Sequence, residues 1–260
     1  MKDKILSKIP TECPWRDTLY WYDTIDSTNH QAKAMAKEGA PHGTVLVAGS
    51  QTKGRGRLGR TFVSPAGAGV YLSVILRPGC APEELMHLTC AVGVAMCSAV
   101  EAVAGIRPGI KWINDLVLNK KKLGGILTEL SIDPKTGLVD YAVVGVGINC
   151  TQTNFDGELA NIATSVAAAG KEVPVDALAA AMVQQLYLLD LSKKKALMDA
   201  YRRDCVILGQ QIKIHRGDTV TAATALDVDD NGALIAQLDN GVQVTVQSGE
   251  VSVRGMFGYI

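Results

Sequence analysis

The sequence lacks most of the features that would assign it to a specialised class. It carries no net charge, because 26 Lys and Arg balance 26 Asp and Glu. General affinity for nucleic acid needs a basic field, so a DNA-binding role is not expected. Aromatic residues make up only 5% of the chain, a poor supply for a surface on which RNA bases stack. The six cysteines (Cys13, Cys80, Cys90, Cys97, Cys150, Cys205) include no CxxC pair. That excludes a zinc ribbon or disulfide frame and predicts reduced, mostly buried thiols. The four histidines are scattered, so no histidine metal cluster forms. The apolar uncharged run Leu88 to Val100 falls short of the ~20 residues of a membrane span. The first ten residues contain no apolar h-region. Together these absences predict a cytoplasmic protein with no membrane partner.

What is present is an ordinary apolar fraction, 47% of 260 residues. That leaves room for one large core and one small appended domain. Thr18 to Ile25, Thr44 to Ala48 and Val70 to Leu76 have strand composition. Gln31 to Glu38 reads as a helix that stops at Gly39, with N-cap candidates in Asp26-Ser27-Thr28-Asn29. Pro82 opens a long apolar helix that ends before Gly105. Ile110 to Ile113, Leu116 to Leu118, Leu123 to Leu130 and Val139 to Ile148 read as strands, with a turn around Asn119 to Lys121. An edge strand in the 139–148 region would let two copies pair as a homodimer. Helices are expected over Ala160 to Ala169, Pro174 to Leu191 and Lys195 to Cys205. After Gly209 only short alternating strands remain, with hairpin turns at Asp230-Asn231-Gly232 and Asp239-Asn240-Gly241. The expected fold is therefore α+β: a mixed or antiparallel sheet packed with helices over 1–208, then a small β-barrel over 209–260.

The chemistry is concentrated in Gln51 to Arg60. Gly54, Gly56 and Gly59 alternate there with Arg55, Arg57 and Arg60. Glycine lets backbone N–H groups approach a ligand, and guanidinium forks suit phosphate or carboxylate. The spacing imitates both the dinucleotide fingerprint and the P-loop. Each of those requires a helix immediately afterwards, and Thr61-Phe62-Val63-Ser64-Pro65 cannot start one. A second cluster runs from Lys111-Trp112-Ile113-Asn114-Asp115 to Lys122-Leu123-Gly124-Gly125-Ile126-Leu127, where paired glycines inside a strand mark a close approach. Taken alone, Ser27-Thr28-Asn29 is a helix cap, Lys120-Lys121-Lys122 a solvated turn and Trp112 a core residue.

Taken jointly, these segments resemble the biotin protein ligase family. Asp26-Ser27-Thr28-Asn29, the Gln51 to Arg60 loop, Lys111-Trp112-x-Asn114-Asp115, Lys122 to Leu127 and Gly145-Val146-Gly147-Ile148-Asn149 occur in the family's order. The resemblance runs from about Asp23 to Arg254. It implies the fold shared with class II aminoacyl-tRNA synthetases, with ATP, Mg²⁺ and biotin bound and biotinyl-5′-AMP as intermediate. The implied acceptor is a lysine of a biotin carboxyl carrier protein of acetyl-CoA or a related carboxylase. By resemblance, Ser27, Thr28, Asn29, Gln51, Gly124 and Gly125 line the biotin site, and Arg55, Gly56 and Arg57 close over it. Lys122, Arg57 and Asp115 are the catalytic candidates. Arg57, Arg60, Lys111, Asn114, Asp115, Asn149 and Arg254 face ATP. Mg²⁺ is carried by the phosphates, with Asp115 as the candidate carboxylate. Three positions depart from the family pattern: Ile113 where proline is usual, Phe62 where tryptophan is common, and Lys53 where a small residue is common. Seventeen residues before the first strand are too few for the winged helix of family repressors, so a ligase without DNA binding is expected. The alternative within the same fold is a lipoate or octanoate ligase, which generally lacks the Gly-Arg-Gly-Arg loop.

Overall fold

The computed structural model describes residues 1–247 and the backbone of 251–255. In chain order the elements are α1 (Lys2–Leu6), β1 (Leu19–Tyr22), α2 (Thr28–Lys37), β2 (Thr44–Ala48), β3 (Gly69–Leu76), α3 (Leu88–Ala104), β4 (Gly109–Lys111), β5 (Asp115–Leu118), β6 (Lys121–Ile132) and β7 (Val139–Asn149). There follow α4 (Leu159–Ile162), α5 (Val175–Tyr187), α6 (Lys194–Asp204), β8 (Gln211–Arg216), β9 (Thr219–Val228), β10 (Leu234–Leu238), β11 (Gln243–Val246) and β12 (Val251–Gly255). The expected elements are recovered with two corrections.

The first sheet has seven strands in the order β1-β2-β3-β7-β6-β5-β4. Only β1 and β2 pair in parallel; every other neighbour is antiparallel. Strand β7 therefore lies in the middle of the sheet between β3 and β6, which overturns its expected role as a pairing edge. Its near-continuous burial explains the apolar run: both of its faces are covered. The true edges are β1 and β4, and β4 is already bridged by Cys205 and by the Val206 N–H, which donates to Ile110 O at 2.9 Å.

Alternation assigns the two faces. Val70, Leu72 and Val74 of β3, Val144, Val146 and Ile148 of β7, and Ile126 of β6 join one large core with α3 and α5. Helix α3 is apolar on nearly every side because the sheet, α5 and α6 surround it. Counted from Pro82, this stretch of 23 residues could cross a membrane by length and composition alone; in the fold it is the central core helix. Gly105 closes it in the left-handed conformation, φ 67°. The opposite face of the sheet carries α2 at one end, over Leu46, Ile75, Tyr141 and Val143. The rest of that face is left for the site.

The second correction concerns Ala160 to Ala169, which is not one helix. Ala163 is extended (φ −106°, ψ 152°) and bridges Lys122. The Thr164 N–H donates to Lys122 O (2.8 Å), and Thr164 O accepts from Asn149 Nδ2 (2.9 Å). Those backbone groups are committed to the sheet end and cannot serve a helix.

The C-terminal strands form a five-stranded antiparallel sheet, β11-β10-β9-β8-β12. Among the described residues β11 and β12 do not pair; the small antiparallel sheet is the expected C-terminal β unit. Both expected turns occur, with Gly232 and Gly241 at φ 86° and 84°. This sheet shares its core with the first: Ile212, Ile214, Ala225, Val228 and Leu234 belong to the same buried cluster as α3 and α6. Polar contacts complete the docking. Trp112 Nε1 donates to Gly232 O (2.9 Å), Arg202 Nε donates to Val228 O (2.6 Å), and Arg202 Nη2 meets Asp230 Oδ1 at 2.5 Å.

Removing residues from 209 onward would expose that shared core and leave the Trp112 indole without its acceptor. The 1–208 fragment is expected to aggregate or to melt at lower temperature than the whole chain. A soluble 1–208 fragment with the full-length melting temperature contradicts this.

Candidate active site

The site is built on bare backbone. Across the open face of the sheet, Tyr71, Gly147, Gly125 and Asp115 stand in register on four neighbouring strands, and Ser73, Gly145 and Leu127 form the next row. The glycines leave the space that neighbouring groups use. A Cβ at Gly147 would stand 2.4 Å from the Phe62 ring, and one at Gly145 would stand 1.8 Å from Asn29 Oδ1. At Gly125 it would meet Lys122 Nζ at 3.3 Å and Asp115 Oδ1 at 3.5 Å.

Lys122 reaches this face through an irregularity. Strict alternation would put Lys122 and Gly125 on opposite faces. The β5–β6 ladder instead pairs Val117 with Lys122 but Leu116 with Gly124, leaving Leu123 as an extra residue. Such a bulge re-aims the side chains before it. Leu123 turns into the core, fully buried, and the Lys122 ammonium swings over Gly125 to meet Asp115 Oδ1 at 2.5 Å. The preceding turn at Asn119-Lys120, with φ of 50° and 62°, is the tight hairpin that starts this strand.

The glycine–arginine loop closes one side. It is a small hairpin: Gly56 N–H donates to Arg60 O (2.7 Å), Phe62 N–H donates to Gly54 O (3.0 Å), and Arg55 bridges Thr61. No helix follows it, as expected. Gly54 packs under Phe62 O and Ser64 Oγ, where a Cβ would lie 2.2 and 2.8 Å away. Arg57 points inward, its Nη1 donating to Asn114 Oδ1 at 3.1 Å. Burial lowers its pKa, and the Asp115 charge opposes that shift. Arg60 is exposed at the outer end of the loop. Asn114 Nδ2 donates to Ile126 O (2.9 Å), locking its amide oxygen toward Arg57. Arg57, Asn114, Asp115 and Lys122 thus come together as one charged corner.

At the other end lies a polar chain. Gln51 Oε1 accepts from Thr28 N (2.9 Å) and Thr28 Oγ1 (3.1 Å), and its Nε2 donates to Ser64 Oγ at 2.9 Å. Ser73 Oγ lies 2.8 Å from Thr28 Oγ1 and 2.6 Å from Asn29 Oδ1. Asn29 Nδ2 donates to Leu127 O (3.2 Å) and to Glu129 Oε2 (3.1 Å). Ser27 occupies the N-cap position of α2 but makes no side-chain capping bond, so the segment is more than a helix cap.

Of the other expected residues, Asn149 reaches the site through Thr164, as described above. Lys111 is buried on β4 with its backbone opposite Asp115. Arg254 lies on β12 opposite Lys213; its side chain, and the Gly249-Glu250 turn before it, fall outside the described residues. Sequence reasoning missed Ser73, Glu129 and Lys33. Glu129 Oε1 meets Lys33 Nζ at 2.8 Å and Arg55 Nη1 at 3.6 Å. Burial would raise the Glu129 carboxyl, but the hydrogen bonds from Lys33 and Asn29, with the Lys33 and Arg55 charges, hold it below its ordinary value. The available signal was alternation: Gly125, Leu127 and Glu129 share a face. No cysteine supplies a nucleophile: five are buried, and burial pushes the thiols of Cys150 and Cys205 up to about 11.

Comparison with known proteins agrees with this geometry. Residues 21–149 match the biotin/lipoate A/B protein ligase family, and residues 207–254 match the biotin protein ligase C-terminal domain. The chain is 34% identical over 236 residues to the bifunctional ligase/repressor BirA of Bacillus subtilis, covering 86% of this chain and 71% of that protein. It is 31% identical over 242 residues to the biotin–[acetyl-CoA-carboxylase] ligase of Paracoccus denitrificans, covering 88% of this chain and 98% of the other. The biotin protein ligase from Aquifex aeolicus, solved in complex with biotin and ATP, superposes with a TM-score of 0.78 at 29% identity, covering 92% of this chain and 99% of that one. With both domains matched in order and the glycine floor, loop and lysine in place, this chain belongs to the biotin protein ligase family.

Proposed function

We propose that the chain joins biotin to ATP, forming biotinyl-5′-AMP and diphosphate, and then passes biotin to a lysine of a biotin carboxyl carrier protein. The observation that carries this reading is the Lys122 ammonium lying over Gly125 beside Arg57, Asn114 and Asp115. It stands at one end of a glycine floor, over which Phe62 and Asn29 lie, whose other end is the Asn29–Thr28–Gln51 chain. An acyl ligand with a polar head and a terminal carboxylate is assigned to the span between them.

In the first half-reaction a carboxylate oxygen of biotin attacks the α-phosphorus of ATP. The new O–P bond forms as the bond to the bridging β-phosphate oxygen breaks, and diphosphate leaves with the electron pair. No proton has to move, so the demand on the protein is electrostatic. Two anions must meet, and fixed cations in a water-poor site stabilise the charge that develops between them. Lys122 is assigned to both reactants, Arg57 to the α-phosphate, and exposed Arg60 to the outer phosphates. Asn114 holds Arg57, and Asn149 holds the 163–164 segment against Lys122. Lys111, buried on β4 opposite Asp115, is assigned to the nucleotide side. Mg²⁺ would be carried by the ATP phosphates, where it would screen their charge, with Asp115 as the candidate carboxylate; the described residues contain no group of three or more His, Cys, Asp or Glu side chains that could hold a resident metal. The loop with Arg55, Gly56 and Arg57 shields the mixed anhydride from water. In the second half-reaction the carrier's ε-amine attacks the acyl carbon, AMP leaves, and the new amide loses a proton to solvent.

The acceptor follows from relatives named for acetyl-CoA carboxylase, and the neutral charge balance supports a chain that makes no DNA contact of its own.

Lys122→Ala is expected to slow biotin-dependent diphosphate release by at least ~10²-fold, the scale of one lost transition-state donor. A rate within a few fold of wild type would move the role to Arg57. Gly147→Val should drive Phe62 off the floor and raise the KM for biotin at least ~10-fold while sparing that for ATP. Equal KM values for biotin in variant and wild type would show that the floor is not the acyl site.

A further inference from the structure

Glu129 lies outside the charged corner, yet it decides the hydrogen-bonding polarity of the opposite end. Three contacts link the oxygens of Asn29, Ser73, Thr28 and Gln51: 2.6 Å from Ser73 Oγ to Asn29 Oδ1, 2.8 Å from Ser73 Oγ to Thr28 Oγ1, and 3.1 Å from Thr28 Oγ1 to Gln51 Oε1. Only two hydroxyl protons are present to fill them. Gln51 cannot supply the third, because the Thr28 N–H fixes its carbonyl oxygen in place and its Nε2 is turned to Ser64. Asn29 could supply it if its amide reversed, placing the NH₂ group against Ser73. What prevents the reversal is that Asn29 Nδ2 faces two acceptors, Leu127 O and Glu129 Oε2. An ionised carboxylate has no proton to give, and Glu129 stays ionised between Lys33 and Arg55.

We infer that Glu129 is a specificity-determining positioning residue, which keeps this chain one proton short and so makes the site favour an acyl head that brings its own N–H. Biotin, with a ureido ring, can supply that proton; lipoyl and octanoyl groups, which have no N–H, leave one oxygen–oxygen contact of the chain without a proton. A site arranged to receive an N–H discriminates against a head that lacks one more strongly than a mismatch of shape alone would. The inference rests on the ligase reading above.

The competing account is structural: Glu129 pins α2 to the sheet through Lys33 and has no effect on ligand choice. Two variants separate them. In Glu129→Gln the carboxamide can offer an NH₂ group, so Leu127 O is the one acceptor left to oppose reversal of Asn29, and the reversed amide, which supplies the missing proton, becomes accessible without ligand. In Lys33→Met the ion pair is lost but the acceptor remains. The readouts are KM for biotin and for ATP in diphosphate release, and the inhibition constant of octanoate competing with biotin. Glu129→Gln is expected to raise the KM for biotin about tenfold, leave that for ATP unchanged, and lower the ratio of octanoate inhibition constant to biotin KM by about the same factor. Lys33→Met should keep that ratio within about twofold of wild type. The inference is overturned if Glu129→Gln keeps the wild-type ratio, or if Lys33→Met loses it equally. Should Glu129→Gln fail to unfold cooperatively, Glu129→Asp withdraws the acceptor by one methylene and is read the same way. A wild-type chain that releases no diphosphate with biotin sinks the ligase reading itself, and this inference with it.

Discussion

Everything at the site depends on one face of the central sheet carrying glycines while the other is filled with apolar side chains. In β7 the alternation is literal: Gly145 and Gly147 on the ligand side, Val144, Val146 and Ile148 in the core. Glycine in a strand forfeits packing and backbone entropy. The loss is offset by position. Strand β7 is paired along both edges, by β3 and by β6, and α3 and α5 fill its opposite face. A glycine row at an edge strand would have no such support.

Charge is then brought to the bare floor by a break in regularity. The extra residue at Leu123 lets a lysine and a glycine three positions apart share a face, which a regular strand forbids. The same residue fills the core, so the bulge is held by packing on one side and by the Lys122–Asp115 pair on the other. At the far end the arrangement is neutral and directional, ordered by hydrogen bonds whose donors and acceptors do not match in number. One end of the site presents charge and the other presents directional hydrogen-bonding groups, with glycines between them.

Much of this was legible in the sequence. The glycine–arginine loop, the absence of a helix after it, the hairpin turns and the central apolar helix all followed from local chemistry. Lys122, Asp115, Asn114 and Arg57 were grouped by resemblance, and they do lie side by side. What was not legible depended on partners far along the chain. The 160–169 stretch has helical composition, yet its backbone is taken by Lys122 and Asn149. Strand β7 looked like any apolar strand, and only the sheet order makes it central. Alternation puts Glu129 on the same face as Gly125, but the importance of Ser73 and Glu129 is set by Asn29, more than forty residues away from the one and a hundred from the other.

The Trp112–Gly232 hydrogen bond spans 120 residues, and this gives the fold a temporal order. On the ribosome, at roughly 5–20 residues per second, Gly232 emerges several seconds or more after Trp112. Until then the indole, two residues from Asn114, lacks its protein acceptor, and the charged corner stands on an unfinished support. A chain that stops before Gly232 therefore lacks the acceptor that ties the Trp112 strand turn to the second sheet.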